Sequence, residues 1–283
     1  MKLIDGKAIS AEIRAEIKTR VEQLKNEHGI TPGLAVIIVG EDPASQVYVR
    51  NKEKACVELG YYSEIHRMPT DTTEKELEDK IAALASDEKI HGILLQLPLP
   101  KGLDEASILL KIPFEKDVDA FHPYNVGCIS QGKYRYLPCT PAGVMELIKR
   151  SEIEVSGKRC VIIGRSNIVG KPMAMLMLNA SATVTVCHSR TKDLKEICSE
   201  ADILVSAVGK PKFVTADMVK EGAVVIDVGI NRDENGKLCG DVDFENVAEK
   251  TSYITPVPGG VGPMTITMLM KNTLTAAEGA IKD

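Results

Sequence analysis

Apolar residues recur at helical spacing from Ala8 to His28, with Ile9, Ile13, Ile17, Val21 and Leu24 on one face, until Gly29 and Thr31-Pro32-Gly33 end the run. The spacing predicts a first helix. LAVIIVG (34–40) and GILLQLPLP (92–100) are short and almost wholly apolar, as strands buried on both faces of a parallel sheet are. Helices are predicted over about 44–59 and 74–86 and a shorter strand near 61–67, so the first 120 residues alternate α and β as one layered domain.

Through KIPFEKDVDAFHPYNVG (111–127) the periodicity is lost and prolines and charges collect, which predicts an interdomain crossing whose side chains face a cleft. A helix is predicted at 140–150. RCVIIG (159–164), TVTVCH (183–188), DILVSAVG (202–209) and AVVIDVG (223–229) then read as four buried strands, with helices near 171–180 and 193–199 between the first three. TPVPGGVGPMTITMLMKNTLTAAEGA adds a glycine turn and a long helix from near Pro263, a residue tolerated at a first helical position. The expected organisation is therefore two-domain α/β. One domain spans 1–120, with the last helix (about 270–283) expected to pack back on it; a crossing spans 121–139; a second, Rossmann-like domain spans 140–269.

Composition narrows the class without changing that picture. At 283 residues a full core is available, and 44% hydrophobic with 27% charged residues is ordinary for a globular protein. A formal net charge of -5 argues against a broad grip on nucleic acid and favours a small-molecule partner. The seven cysteines, odd in number and without a C-x-x-C pair, predict free thiols in a reducing compartment. MKLIDGKAIS lacks an apolar signal core, and no run approaches the length of a membrane span, so a cytoplasmic location is expected. Cys187 and His188 adjoin on a strand and point to opposite faces, a poor chelate, and no metal is expected.

The first chemical signal is VIIGRSNIVGKPMAML, which reads as strand, glycine, tight turn and helix. Backbone N–H groups and the positive dipole end at such a helix start attract phosphate; Gly164 lets the turn close, and Gly170 permits close approach. The pattern G-R-S-x-x-V-G departs from the generic G-x-G-x-x-G, so the turn alone serves equally as an ordinary βα connection. The following strand discriminates. TVTVCH ends in Ser189-Arg190-Thr191-Lys192, with no acid until Asp193 to bind a ribose 2′-hydroxyl. With Arg165, this favours the 2′-phosphate of NADP, because guanidinium offers forked donors.

The second signal lies in the first half. Tyr48 and Lys52 are four apart on a predicted helix and share a face, Gln96 is a polar residue in an apolar predicted strand, and Asp119 sits in the irregular crossing. Singly, each also fits a bland role: a solvated helix face, or a glutamine satisfying nearby backbone. Together with GRSNIVGKP (164–172), DVGIN (227–231), PGGVGPMT (258–265) and KDVDAFHPYNVG (116–127), in that spacing, the chain resembles the bifunctional methylenetetrahydrofolate dehydrogenase/methenyltetrahydrofolate cyclohydrolase family over nearly its whole length.

The resemblance implies NADP-dependent oxidation of 5,10-methylenetetrahydrofolate and hydrolysis of the methenyl product to 10-formyltetrahydrofolate, in a homodimer. It implies that Tyr48 stacks on the folate rings, that Lys52 is the central catalytic group tuned by Gln96, and that Asp119 binds the amino-pyrimidine edge. It also places Pro258, Gly259 and Gly260 beside the substrate, and Gly164, Arg165, Ser166, Ser189 and Ile230 on the cofactor, with Arg190 the further phosphate partner. One departure stands out: the family usually has glycine after the second Asp of K-D-V-D, where this chain has Ala120. A positive φ there would strain alanine and shift Asp119. Tyr-x-x-x-Lys also marks short-chain dehydrogenases, but there the nucleotide turn precedes the pair, and here Lys52 precedes Gly164 by more than one hundred residues. A folate or nucleotide binder without turnover is the non-enzymatic alternative.

Overall fold

In a computed structural model of the chain, residues 1–281 are described. In chain order the elements begin with β1 (Lys2–Leu3), α1 (Gly6–His28), β2 (Gly33–Val39), α2 (Pro43–Leu59), β3 (Tyr62–Met68), α3 (Glu74–Ser86) and β4 (Gly92–Leu95). The short helices α4 (Glu105–Leu109) and α5 (Pro123–Ser130) follow, then α6 (Cys139–Arg150), β5 (Arg159–Ile163), α7 (Gly170–Asn179), β6 (Thr183–Cys187), α8 (Leu194–Ser199) and β7 (Ile203–Ser206). The chain continues through β8 (Ala223–Asp227), β9 (Asn231–Arg232), β10 (Leu238–Cys239), α9 (Phe244–Val247), β11 (Thr251–Ile254) and α10 (Val261–Glu278).

The chain divides into two compact units. One comprises residues 12–139 and those from 266 onward. Its three parallel strands have the order β3-β2-β4, with Leu34 opposite Gly92 and Ile37 opposite Leu95. Every residue of β2 and β4 is buried, which requires cover on both faces. On one face Ala35, Ile37, Ile93 and Leu95 pack with Leu77, Ile81 and Leu84 of α3. Tyr61, just before β3, donates from Oη to Met270 O of α10 at 2.8 Å, and a Cβ on Gly92 would stand 3.3 Å from Thr273 Oγ1 of α10 and 2.7 Å from Val118, so glycine lets these segments close on the strand. The last helix, predicted from near Pro263 with its part from about 270 to 283 packing back on the first domain, runs from Val261 to Glu278; residues 282 and 283 lie outside the described residues.

The other unit comprises Met1–Ala11 and Thr140–Thr265. Its six-stranded sheet has the order β1-β11-β8-β7-β5-β6, parallel throughout. The first eleven residues group here because Lys2 and Leu3 pair with Tyr253 and Ile254 of β11. The order reverses between β5 and β7, which defines a topological switch point.

Three sequence expectations change. The apolar run 92–100 is a strand only to Leu95, because Pro98 and Pro100 have no N–H to donate to a ladder, and Gln96 lies just beyond the strand end. The second sheet has six strands where the sequence predicts four; the further two are the two-residue β1 and the four-residue β11, in which buried Thr251 and Ile254 flank two half-buried residues and no continuous apolar run marks a strand. The irregular 111–127 stretch runs into α5, whose N-cap is His122: Tyr124 N donates to His122 Nδ1 at 3.1 Å, with Pro123 in the first turn.

A Cβ on Gly33 would come within 1.8 Å of Lys89 O, a backbone atom that cannot swing aside. Gly33→Ala should therefore lower stability by about 1–3 kcal/mol, as overpacked sites do, read as a fall in the urea unfolding midpoint at unchanged slope.

Candidate active site

Helix α2 carries Tyr48 and Lys52. Asp42 Oδ2 accepts from Ser45 N at 2.8 Å and Pro43 opens the first turn, while Gly60 at φ 74 closes the far end, so both ends of this helix are fixed by local chemistry. Tyr48 is 42% exposed. Lys52 is half-buried, and its Nζ donates to Gln96 Oε1 at 2.8 Å. Gln96 is oriented by two further bonds: its Nε2 donates to Leu97 O at 2.7 Å, and its backbone N to Ile37 O at 2.8 Å. With the amide N–H occupied by backbone, the carbonyl end faces the lysine.

Burial lowers the Lys52 pKa from the ordinary lysine value, while the negative potential of Asp119, and then Cys139, opposes the shift. Asp119 moves the other way: burial raises its pKa, with Lys52 pulling it back. Both changes favour neutral forms, the expected response of groups removed from water. Asp119 also meets Cys139, whose Sγ lies 3.4 Å from Asp119 Oδ1 and 3.6 Å from Val118 O. Asn272 of α10 donates from Nδ2 to Val118 O and Leu137 O, each at 2.8 Å, pinning the two segments that carry the acid and the thiol. Cys139 and Asn272 carried no sequence signal, being 20 and 153 residues from Asp119 in an unremarkable context. The neighbouring Asp117 is structural. It is buried and accepts from His122 N and Asn125 Nδ2, both at 2.8 Å.

Ala120 follows Asp119 with φ 57 and is fully buried, its N donating to Asp117 O at 3.1 Å. The alanine therefore sits in the left-handed region, at a cost of roughly 1 kcal/mol.

In the other unit, Gly164 has φ 119, and a Cβ there would come within 2.3 Å of Ala207 O; a Cβ on Gly170 would come within 2.2 Å of Gly164 O. Ser166 Oγ accepts from Val169 N at 3.1 Å and Gly170 N at 3.3 Å, supplying the α7 start with the cap that Val169 cannot. Ile163 pairs with Cys187, so Arg165 and Ser189 both lie two residues past paired positions at the same carboxyl edge of the sheet. Arg165, Ser166, Ser189 and Arg190 are all exposed there. Thr191 N donates to His188 O at 2.9 Å and Arg190 N to His188 Nδ1 at 3.1 Å, giving the second strand end its own turn. Ile230, 50% exposed, lies beyond β8; a Cβ on Gly262 would stand 3.6 Å from its Cδ1. Pro258, Gly259 and Gly260 form the turn before α10, with Gly260 N donating to Pro256 O at 2.8 Å. These features fit a dinucleotide: a glycine cradle that any side chain would fill, a helix start, and exposed cations at the end of the next strand.

Missed in the sequence is a pair of buried acids. Asp227 accepts from Gly229 N and Asp241 N through Oδ1 and from Val242 N through Oδ2, each at 2.9 Å, and burial pushes its pKa up to about 6 against those bonds. Asp241 is fully buried beside it.

A doubly wound unit with a dinucleotide turn, and an α/β unit holding a desolvated lysine, together define a nicotinamide-dependent enzyme of two-unit architecture. Comparison makes the class particular. The model of the tetrahydrofolate dehydrogenase/cyclohydrolase catalytic domain matches residues 4–119, and that of the NAD(P)-binding domain of the same family matches residues 138–281. The chain belongs to the tetrahydrofolate dehydrogenase/cyclohydrolase family. It is 60% identical over 276 residues to the bifunctional protein FolD of Moorella thermoacetica, covering 98% of each chain, and 59% identical over 281 residues to that of Campylobacter concisus, covering 99% of each. Among solved structures it is similar to the FolD methylenetetrahydrofolate dehydrogenase/cyclohydrolase of Campylobacter jejuni, with a TM-score of 0.98, 53% identity and coverage of 99% of this chain and 100% of that one. The Trypanosoma brucei enzyme, complexed with NADP cofactor and inhibitor, gives a TM-score of 0.95 at 42% identity, with coverage of 99% and 98%.

The strain at Ala120 has a measurable consequence. Ala120→Val, which forces a β-branched residue into the left-handed region at a fully buried position, should cost more than about 2 kcal/mol, whereas Ala120→Gly should stay within about 1 kcal/mol of the parent. Urea unfolding of the two variants reads the difference.

Proposed function

We propose that the chain oxidises 5,10-methylenetetrahydrofolate to 5,10-methenyltetrahydrofolate with NADP and hydrolyses that cation to 10-formyltetrahydrofolate. The observation that carries this reading is Lys52, desolvated and held by Gln96, in the unit that the family's catalytic-domain model covers. In this reading the unit of residues 12–139 and those from 266 onward binds folate, and the unit of residues 1–11 and 140–265 binds NADP.

NADP, when bound, supplies the hydride acceptor, so the protein need only set distance and orientation for the oxidation. Gly164, Arg165, Ser166, Ser189, Arg190 and Ile230 hold the cofactor, with the exposed guanidinium of Arg165 directed at the 2′-phosphate. Pro258, Gly259 and Gly260 line the substrate. The hydrolytic step asks more of the side chains. Water adds to the amidinium carbon, the C–N5 bond breaks, and of the two water protons one ends on N5 and one is released. Burial lowers the Lys52 pKa, which makes its amine a better-matched group to take the first proton and return it, while Gln96 fixes its direction without adding charge. Asp119 accepts two N–H bonds from the amino-pyrimidine edge, and Tyr48 stacks on the ring system. Cytoplasmic location and a homodimer complete the reading. Seven free cysteines support the first, and no described helix is long and apolar enough to cross a membrane; the second rests on the family resemblance.

Lys52→Gln should abolish cyclohydrolase turnover while leaving NADP binding intact, and in the parent the hydrolytic rate should rise with pH along a limb centred below the ordinary lysine value. Full turnover in Lys52→Gln, measured by the loss of methenyl absorbance, would remove Lys52 from the mechanism. Arg165→Ala should raise KM for NADP by roughly tenfold or more, the loss of a charge-assisted bond, with little effect on the weaker use of NAD; equal losses for both cofactors would refute the 2′-phosphate assignment.

A further inference from the structure

Asp241 spends its entire acceptor capacity on one loop and its anchor. Its Oδ2 accepts from Val208 N at 2.7 Å, Gly209 N at 3.3 Å and Ser206 Oγ at 3.2 Å, while Oδ1 accepts from Lys210 N at 3.0 Å and Asn231 Nδ2 at 2.9 Å. Three successive backbone N–H groups therefore curl around a carboxylate of the chain itself, a nest of the kind that elsewhere receives a bound anion. The carboxylate is set in turn by Asp227, which accepts the Asp241 N–H at 2.9 Å. Two glycines make the approach possible: a Cβ on Gly229 would fall 2.2 Å from Asp241 Oδ1, and one on Gly240 would fall 1.8 Å from Asp227 Oδ2.

The loop so gathered is 206–210, at the carboxyl end of β7. Its Ala207 N donates to Ile163 O at 2.8 Å, and its Ala207 O is the atom that Gly164 leaves room for. Gly164 directly follows β5, and the strand order reverses between β5 and β7, so Ala207 and Gly164 flank the crevice in which doubly wound sheets bind dinucleotides. We propose that Asp241 is a positioning residue for the dinucleotide, fixing the 206–210 loop as one wall of the crevice whose other wall is the Gly164 turn. The proposal rests on the assignment of the nucleotide to this crevice.

Its chemistry is demanding. A carboxylate presents only acceptors, and all five partners are donors. A carboxamide would turn its NH2 toward two or three of them whichever way it were placed, and the loop would have to move away. Because the loop touches the turn, the effect should appear in dinucleotide affinity and leave the folate side unchanged.

The test is NADPH binding to the full-length protein, followed by the cofactor's fluorescence, alongside steady-state kinetics. Asp241→Asn should weaken NADPH at least tenfold, while KM for the folate substrate and kcat at saturating NADP change less than threefold. Asn231→Ala, which removes one half-buried side-chain donor, should weaken NADPH by about two- to fivefold with the same split, and it decides the matter if Asp241→Asn does not fold. Unchanged NADPH affinity in a folded Asp241→Asn, or in Asn231→Ala should Asp241→Asn not fold, would overturn the proposal, as would parallel losses in the folate and cofactor parameters. If the parent protein itself does not bind NADPH, the assignment of the crevice fails instead, and the two failures are separable.

Discussion

A parallel strand buried on both faces can present polar chemistry only where it stops. That constraint organises both units. In the smaller sheet, β2 ends at Val39 and leads through Gly40 into the capped helix that carries Lys52, and β4 ends one residue before Gln96. In the larger sheet, β5 leads into Gly164, β6 into the His188 turn, β7 into the 206–210 loop, β8 into the segment of Gly229 and Ile230, and β11 into the Pro256–Gly260 turn. The candidate chemistry thus sits at carboxyl ends, where backbone groups leave the ladder and must find other partners.

The units satisfy their buried polar groups by opposite means. Lys52 receives a neutral partner in Gln96, and burial lowers its pKa from the ordinary lysine value. Asp241 receives five donors, and its carboxylate serves as a fixed part of the backbone arrangement. Asp119 falls between them: a half-buried acid that meets the Cys139 thiol at 3.4 Å and lies within the potential of Lys52.

Much of this was legible from residue order alone. Apolar runs bounded by glycine located β2, β4, β5, β7 and β8, because burial on both faces leaves no alternation to confuse them. β6 was also found, although as an edge strand it exposes Thr183, Thr185 and Val186, where a buried strand was read. The i,i+4 spacing of Tyr48 and Lys52 needed only a helix. Gln96 stands out as a polar residue inside an apolar run, yet its partner lies 44 residues away and no local rule could supply it.

The sequence by itself determined the alternation of elements, the glycine turn at 164, the absence of an acid at the end of the next strand, and the set of motifs that marks the family, since each depends on neighbours within a turn or a strand. Tertiary structure alone decided that Cys139 and Asn272 stand with Asp119, that Ala120 is held at positive φ, and that Asp241 gathers the loop beside Gly164. Those facts depend on which segments the packing of the sheets brings together, and such long-range contacts leave no periodic trace in the chain.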